Sequence, residues 1–308
     1  MIKVRNLTKK FGSIKALKGI DFDISENEIY GLLGPNGAGK STTINILSTI
    51  LKPDTGELEI NNYNLKSHTQ ACKQSIGVVP QEISLYDELS AIDNLLFWGS
   101  LYNIKASVLK EKANSLLELF GLSDRKNDKI KNYSGGMKRR INIASALLHS
   151  PKVLLMDEPT VGIDPQSRNM IFEVTEKLNK EGLTIVYTTH YMEEAERLCN
   201  RIGIIDQGKI IAEGTLNELR KLSKTSENII ININGDSVDK IQKLKETLKI
   251  KFTFAENSLN IFSDHANADL PYVITKINEI GIKIKNIDII KANLETVFLN
   301  LTGKNLRN

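Results

Sequence analysis

The stretch Gly34-Pro35-Asn36-Gly37-Ala38-Gly39-Lys40-Ser41 fits the pattern G-x-x-x-x-G-K-[ST], and it constrains the chain more than any other. Ahead of it, Glu28-Ile29-Tyr30-Gly31-Leu32-Leu33 reads as a short buried strand. Behind it, Ser41 to Leu51 reads as a helix stopped by Pro53. A strand, a glycine-rich turn and a helix in that order aim backbone N–H groups at an anion, and the helix dipole favours negative charge at the same place. Lys40 is then expected to reach the β- and γ-phosphates of a nucleotide, and the Ser41 hydroxyl to ligate Mg2+. This is a nucleotide site.

The remaining composition narrows the setting. At 308 residues the chain can bury a large core and is expected to hold two domains of unequal size; 41% hydrophobic and 25% charged residues are those of a globular protein. A net charge of +4 is too slight to indicate a nucleic-acid-binding face. Cys72 and Cys199 are far apart, with no C-x-x-C spacing, and support neither a disulfide framework nor a zinc site; they fit a reducing compartment. The N-terminus carries charge almost at once, unlike a signal peptide. No window approaches the roughly 18 apolar residues that cross a bilayer, so any membrane-spanning part is expected from another polypeptide.

Along the chain, Ile2, Val4, Phe22 and Ile24 alternate with Lys3, Arg5, Asp21 and Asp23, the pattern of a half-buried antiparallel sheet, with turns expected near Lys9-Lys10 and Gly12-Ser13. Phe11 beside the second turn has two readings, a satellite core residue or a platform on which a nucleotide base stacks. Ser75 to Pro80 is a short apolar run ending at Gln81, a side chain able to reach a metal-bound water or a phosphate oxygen. From Ser90 to about Ile130 the pattern is helical. Ser90 and Asp93 suit a capping box, Leu109, Ala113, Leu116, Leu117 and Phe120 share a face, and Gly121 is placed as the stop. Tyr133-Ser134-Gly135-Gly136-Met137 precedes another helix, again an anion-binding geometry, whereas Lys138-Arg139-Arg140 reads as a solvated basic face.

Lys152 to Glu158 is an apolar run ending in two carboxylates, Asp157 and Glu158. In a parallel sheet ligands gather at the carboxyl ends of strands, so one acid can hold Mg2+ while the other orients or deprotonates a water. Leu183 to Thr188 is a further strand with His190 beyond its end, where an imidazole can donate to a γ-phosphate oxygen. Ile202–Asp206 and Lys209–Ala212 flank Gln207-Gly208 as a hairpin. Past Gly214 a short charged helix leads to a linker at 223–228. Beyond it, strands at 229–233, 250–254, 258–262 and 284–290 and helices at 237–248, 268–280 and 293–302 give a βαββαβ order, a small ferredoxin-like layer.

Together these elements resemble the ATP-binding subunits of ABC transporters over roughly residues 1–220. Gly34 to Ser41 is similar to the Walker A loop, Gln81 to the Q-loop glutamine and Tyr133 to Met137 to the signature motif. Val153 to Glu158 is similar to Walker B, Asp164 to the D-loop aspartate and His190 to the switch histidine. Phe11 falls at the aromatic A-loop position, which favours base stacking. Tyr-Ser-Gly-Gly-Met in place of the commoner Leu-Ser-Gly-Gly-Gln, and Val-Gly-Ile-Asp at the D-loop, resemble the exporter branch that includes drug-resistance, antibiotic-efflux and sodium-efflux ATPases. The segments Thr189 to Glu196 and Leu294 to Leu299 are similar to that branch as well.

The resemblance implies a fold: a P-loop NTPase of the ABC ATPase type over 1–222, with a RecA-like α/β core, an antiparallel β layer and a helical subdomain. An α+β ferredoxin-like domain of regulatory or dimerisation type follows over 223–308. It also implies ATP and Mg2+ as ligands. Phe11, Asn36, Gly37, Gly39, Lys40, Ser41, Thr42, Ser134, Gly135, Gly136 and Asp164 would hold the nucleotide. Ser41, Gln81 and Asp157 would hold the metal, and Glu158, His190 and Gln81 would be catalytic. The expected partners are a second copy, which closes Ser134 and Gly136 over the ATP, and a separate integral-membrane permease. The subunit is expected to be cytoplasmic, peripheral on the cytoplasmic face of the cell membrane.

Overall fold

The computed structural model describes residues 1–222, 227–234, 238–255, 257–263, 265–291 and 293–302. In chain order the first part comprises β1 (Ile2–Phe11), β2 (Ile14–Ile24), β3 (Ile29–Leu33), α1 (Lys40–Leu47), β4 (Thr55–Ile60), β5 (Tyr63–Asn64), α2 (Thr69–Ser75) and β6 (Ile76–Val79). Then come α3 (Ala91–Ser100), α4 (Ala106–Leu119), α5 (Gly135–Leu147), β7 (Val153–Asp157), α6 (Pro165–Lys180), β8 (Thr184–Thr189), α7 (Met192–Leu198), β9 (Arg201–Asp206) and β10 (Lys209–Gly214). The chain divides into two compact units after Thr215, ahead of the boundary expected at 222/223.

The first unit is built on a six-stranded sheet in the order β10-β9-β3-β8-β7-β6, parallel except for β10. Its central strands β3, β7 and β8 are buried along their whole length, as strands covered on both faces must be. Alternation then assigns the two faces. Leu32, Val153, Leu155 and Val186 pack with α1 and with Ile2, Val4, Leu58 and Ile60 of an antiparallel sheet ordered β2-β1-β4-β5. Leu154, Met156, Ile185 and Tyr187 face a helical layer in which Leu95, Leu109, Ala113, Leu117, Phe120 and Ile141 are buried. Half of the expected capping box is present: Ser90 Oγ accepts from the Asp93 N–H at 3.1 Å, while the Asp93 carboxylate takes the Ser90 hydroxyl at 2.6 Å where a full box would use the Ser90 N–H.

One expected turn is absent. Lys9 and Lys10 lie within β1, which continues to Phe11 and pairs with β2 through Lys9 with Leu17 and Lys10 with Lys15. Asp54 stabilises the continuation, taking the Lys9 ammonium at 3.0 Å and the Lys10 N–H at 2.7 Å.

The second unit starts with α8 (Leu216–Leu222), followed by β11 (Glu227–Ile233), α9 (Val238–Thr247), β12 (Phe252–Ala255), β13 (Ser258–Ser263), α10 (Ala266–Glu279), β14 (Ile284–Lys291) and α11 (Leu294–Thr302). Its sheet runs β12-β13-β11-β14, antiparallel throughout, so the third strand lies between the first two: the split βαβ arrangement of the ferredoxin-like fold. Ile229, Ile231, Ile233, Leu259 and Ile261 meet Ile241, Leu244, Val273 and Ile277 in its core. The expected linker at 223–228 lies largely outside the described residues.

His149, just past α5, titrates in a testable range. Its ring stacks on Tyr102 with centroids 3.9 Å apart, its Nε2 is 2.9 Å from the Ile76 carbonyl, and its Nδ1 is buried with no hydrogen-bond partner. Burial pushes its pKa below 6.5, the Ile76 carbonyl opposing this only in part. The unfolded chain therefore binds the proton more readily, and stability falls as pH drops through about 6.5. His149→Gln, which keeps a donor for Ile76 without titrating, is expected to flatten that slope in urea unfolding measured at about pH 7.5 and 5.5.

Candidate nucleotide site

The sheet order brings separate stretches of sequence to one edge. Along β3, β8, β7 and β6 the carboxyl ends deliver, in turn, the Gly34–Ser41 loop, His190, the Asp157–Glu158 pair and Gln81. That is the edge at which parallel α/β sheets bind ligands.

The loop is held by exclusion. A Cβ on Gly34 would lie 2.1 Å from the Ile205 carbonyl oxygen, and one on Gly39 would lie 2.8 Å from Leu17, with φ of +117° besides. Asn36 and Gly37 are open to solvent, whereas Ser41 and Thr42 are half-buried at the start of α1. Lys40 is buried. Its ammonium donates to the carbonyls of Gly34 at 2.7 Å and Pro35 at 3.0 Å, and it lies 3.0 Å from Glu158 Oε1.

Glu158 is the meeting point. Its other oxygen, Oε2, is 3.2 Å from His190 Nδ1, so this nitrogen carries the proton if the contact is a hydrogen bond. Only 5% of the residue is exposed. Its backbone is left-handed, with φ +45°, a strained conformation for a side-chain-bearing residue. The Glu158 N–H donates to Thr188 Oγ1 at 3.0 Å, and that hydroxyl donates to Asp157 Oδ1 at 2.6 Å. One threonine of β8 thus fixes both acids at the end of β7. A carboxylate between an ammonium and an imidazole, with a second carboxylate beside it, can take a proton from water, and its surroundings can hold phosphate charge.

A second cluster lies at the N-termini of α5 and α6. Ser134 caps α5, accepting from the Met137 N–H at 3.3 Å, and Asp164 caps α6, accepting from the Ser167 N–H at 2.9 Å. The Ser167 backbone and side-chain bonds hold the exposed Asp164 carboxyl below its ordinary range. Gly136 faces this tip so closely that a Cβ would fall 2.0 Å from Ser167 Oγ; Gly135 is exposed. Phe11, 49% exposed with the Lys9 ammonium 5.7 Å from its ring centre, is no core residue.

The basic run of α5 is not a solvated face. Lys138 pairs with Asp87 at 2.7 Å, and Arg140 donates to the Phe120 carbonyl at 2.8 Å. Arg139 is buried and donates to the carbonyls of Pro80 at 2.7 Å and Gln81 at 2.5 Å, fixing the backbone of the Gln81 loop while the Gln81 side chain stays exposed. Burial lowers the Arg139 pKa, and a guanidinium in a protein keeps its charge, so both donors remain. The signal was helical spacing: Arg139 is three residues after Gly136 and four before Ile143, both buried.

Comparison with known proteins fits this geometry. A profile of the ABC transporter family matches residues 17–161. The chain belongs to that family: it is an ATP-binding, ATP-hydrolysing subunit of the ABC transporter type. Its relatives include the linearmycin resistance ATP-binding protein LnrL of Bacillus subtilis (strain 168), 43% identical over 100% of both chains. They also include the daunorubicin resistance ATP-binding protein DrrA3 of Streptomyces coeruleorubidus, 34% identical over 99% of this chain and 97% of that one. The Nod factor export ATP-binding protein I of Cupriavidus pinatubonensis (strain JMP 134 / LMG 1197) is 34% identical over 100% and 92%. Among solved structures, an ATP-binding subunit of an ABC transporter superposes with TM-score 0.66 at 28% identity, covering 79% of this chain and 98% of its own. The dimeric ATP-binding cassette MJ0796 bound to ADP and Pi gives 0.64 at 31%, covering 70% and 99%.

Arg139→Met keeps the stem but removes both donors to the Gln81 loop. Losing charged hydrogen bonds of about 1.5 kcal/mol or more is expected to speed amide exchange over residues 81–84 by about tenfold or more, read by mass spectrometry.

Proposed function

We propose that this chain powers export of a drug, antibiotic, ion or lipid-like substrate through a separate membrane permease, with ATP sandwiched between two copies. The supporting observation is the Glu158 carboxylate set between Lys40 Nζ at 3.0 Å and His190 Nδ1 at 3.2 Å, at the ends of neighbouring strands. Phe11 stacks on the base, while Asn36, Gly37, Gly39, Lys40, Ser41 and Thr42 cradle the phosphates. Glu158 takes a proton from the water whose oxygen attacks the γ-phosphorus. The bond from that phosphorus to the bridging oxygen breaks, leaving ADP and inorganic phosphate, and His190 holds a γ-phosphate oxygen.

The donor set suits Mg2+, which favours hydroxyl, carboxylate, water and phosphate oxygens. Asp157, held by Thr188, would bind it with Ser41 and Gln81; when bound it draws charge from the β- and γ-phosphate oxygens.

Ser134, Gly135, Gly136 and Asp164 of a second copy close the site, so that ATP binds the two chains together and hydrolysis releases them. The dimeric cassette bound to ADP and Pi supports this reading. Attachment to the cytoplasmic face of the membrane through the permease follows from it. No helix among the described residues is long and apolar enough to cross a membrane. The export direction is supported by relatives named for linearmycin and daunorubicin resistance and for Nod factor export. The first unit, to Thr215, carries this chemistry, and the C-terminal layer has a regulatory or dimerisation role.

Glu158→Gln is expected to retain ATP binding and to lose turnover by ~10²–10³-fold, about 3–4 kcal/mol of barrier, in a phosphate-release assay. Wild-type turnover in that variant would remove Glu158 from the mechanism. Lys40→Ala is expected to weaken ATP itself, read by fluorescent-nucleotide titration; unchanged affinity would exclude the cradle.

A further inference from the structure

Glu194, on α7, is not accounted for by the chemistry above. The residue is only 3% exposed, and its hydrogen bonds and ion pair among the described residues go to Thr160, Tyr187, Thr189 and Arg168, with none to Glu158 or His190. Instead it collects three hydroxyl donors. Oε1 accepts from Thr160 Oγ1 at 2.7 Å, and Oε2 accepts from Thr189 Oγ1 at 2.9 Å and from the Tyr187 hydroxyl at 3.0 Å. The Arg168 guanidinium of α6 lies 3.9 Å from Oε1 and gives the carboxylate its nearest positive charge.

Each partner sits next to a residue that matters. Thr160 belongs to the loop leaving Glu158. Thr189 directly precedes His190, and its hydroxyl also accepts the N–H of Tyr191 at 2.9 Å, on the other side of the histidine. The backbone on both sides of His190 is therefore referred to Oε2, while the loop beyond Glu158 is referred to Oε1. The Tyr187 phenol is pushed well above its ordinary range by burial and by Glu194 itself, so it remains a donor. Placing an ionisable side chain where water cannot reach it is costly unless its hydrogen bonds are satisfied, and here they are.

We propose that Glu194 is a positioning residue that sets the separation of Glu158 and His190, its two oxygens each anchoring the segment that carries one of them. A glutamine has the same shape but only one acceptor oxygen, so it cannot receive all three hydroxyls. At least one of the two segments then trades a charge-assisted bond for a weaker one in which its hydroxyl must turn from donor to acceptor. Displacements of about 1 Å in a reacting geometry cost up to about 10²-fold in rate.

This rests on the assignment of Glu158 and His190 to catalysis, and the test separates the two. In steady-state ATPase assays, Glu194→Gln is expected to lower kcat about 10- to 100-fold while KM for ATP changes less than about twofold. In a His190→Ala background the same substitution is expected to add clearly less than its full factor, because the share that passes through the histidine is already lost. Thr189→Val, which removes the bridging hydroxyl, is expected to lower kcat by a similar factor, and Thr189→Ser to recover most of the loss. That pair decides the matter should Glu194→Gln not fold. Unchanged kcat in Glu194→Gln or in Thr189→Val would overturn the proposal. So would a fall in kcat that only follows the folded fraction measured by circular dichroism, or full additivity with His190→Ala. If Glu158→Gln and His190→Ala themselves leave turnover intact, the failure belongs to the reading of the site and not to Glu194.

Discussion

A carboxylate placed away from water is the constraint on which the first unit depends. Glu158 is buried, and burial of an unpaired charge costs several kcal/mol, so the fold has to bring positive charge and donors to it. Lys40 arrives from the loop after β3 and His190 from the end of β8, while the Thr188 hydroxyl receives the Glu158 N–H. A parallel sheet with β8 between β3 and β7 puts these three groups at one edge. The antiparallel layer and the helices serve that sheet by covering its two faces.

Much of this was legible in the residues, because the informative patterns are local. The Gly34–Ser41 loop, the acids closing β7 and the histidine after β8 each declare themselves within a few positions, and buried strands give continuous apolar runs. The βαββαβ order past 226 was legible for the same reason, since strand and helix periods alternate cleanly there. What escaped was long-range. Arg139 reads as one of three consecutive cations, and nothing nearby in sequence says that it reaches carbonyls some sixty positions earlier. Glu194 reads as one of several acids on a charged helix, although its burial with Ala195 and Leu198 follows the helical period. The turn expected at Lys9-Lys10 failed because a lysine pair suits an exposed strand as well as a bend, and Asp54, which decides between them, is distant in the chain.

Two modes of fixing an active group are combined here. The phosphate loop relies on shape at its two ends, with Gly34 and Gly39 where a side chain would collide. The acids and the histidine rely on hydroxyls, Thr188 for Asp157 and Glu158 and Thr189 for the neighbourhood of His190. Hydroxyls can donate and accept at once, so a short series of them passes order from one strand to the next without introducing further charge.

The close fit of Gly34 and Gly39 against Ile205 and Leu17 has a mechanical meaning. With its two ends wedged against their neighbours, the loop is pinned where it leaves β3 and where it enters α1. Any stroke that ATP drives must then be taken up by the parts not so wedged, with the Gln81 loop held by two hydrogen bonds rather than by volume. In the transport cycle proposed above, work would leave this subunit on the side where the protein is bonded, and not on the side where it is jammed.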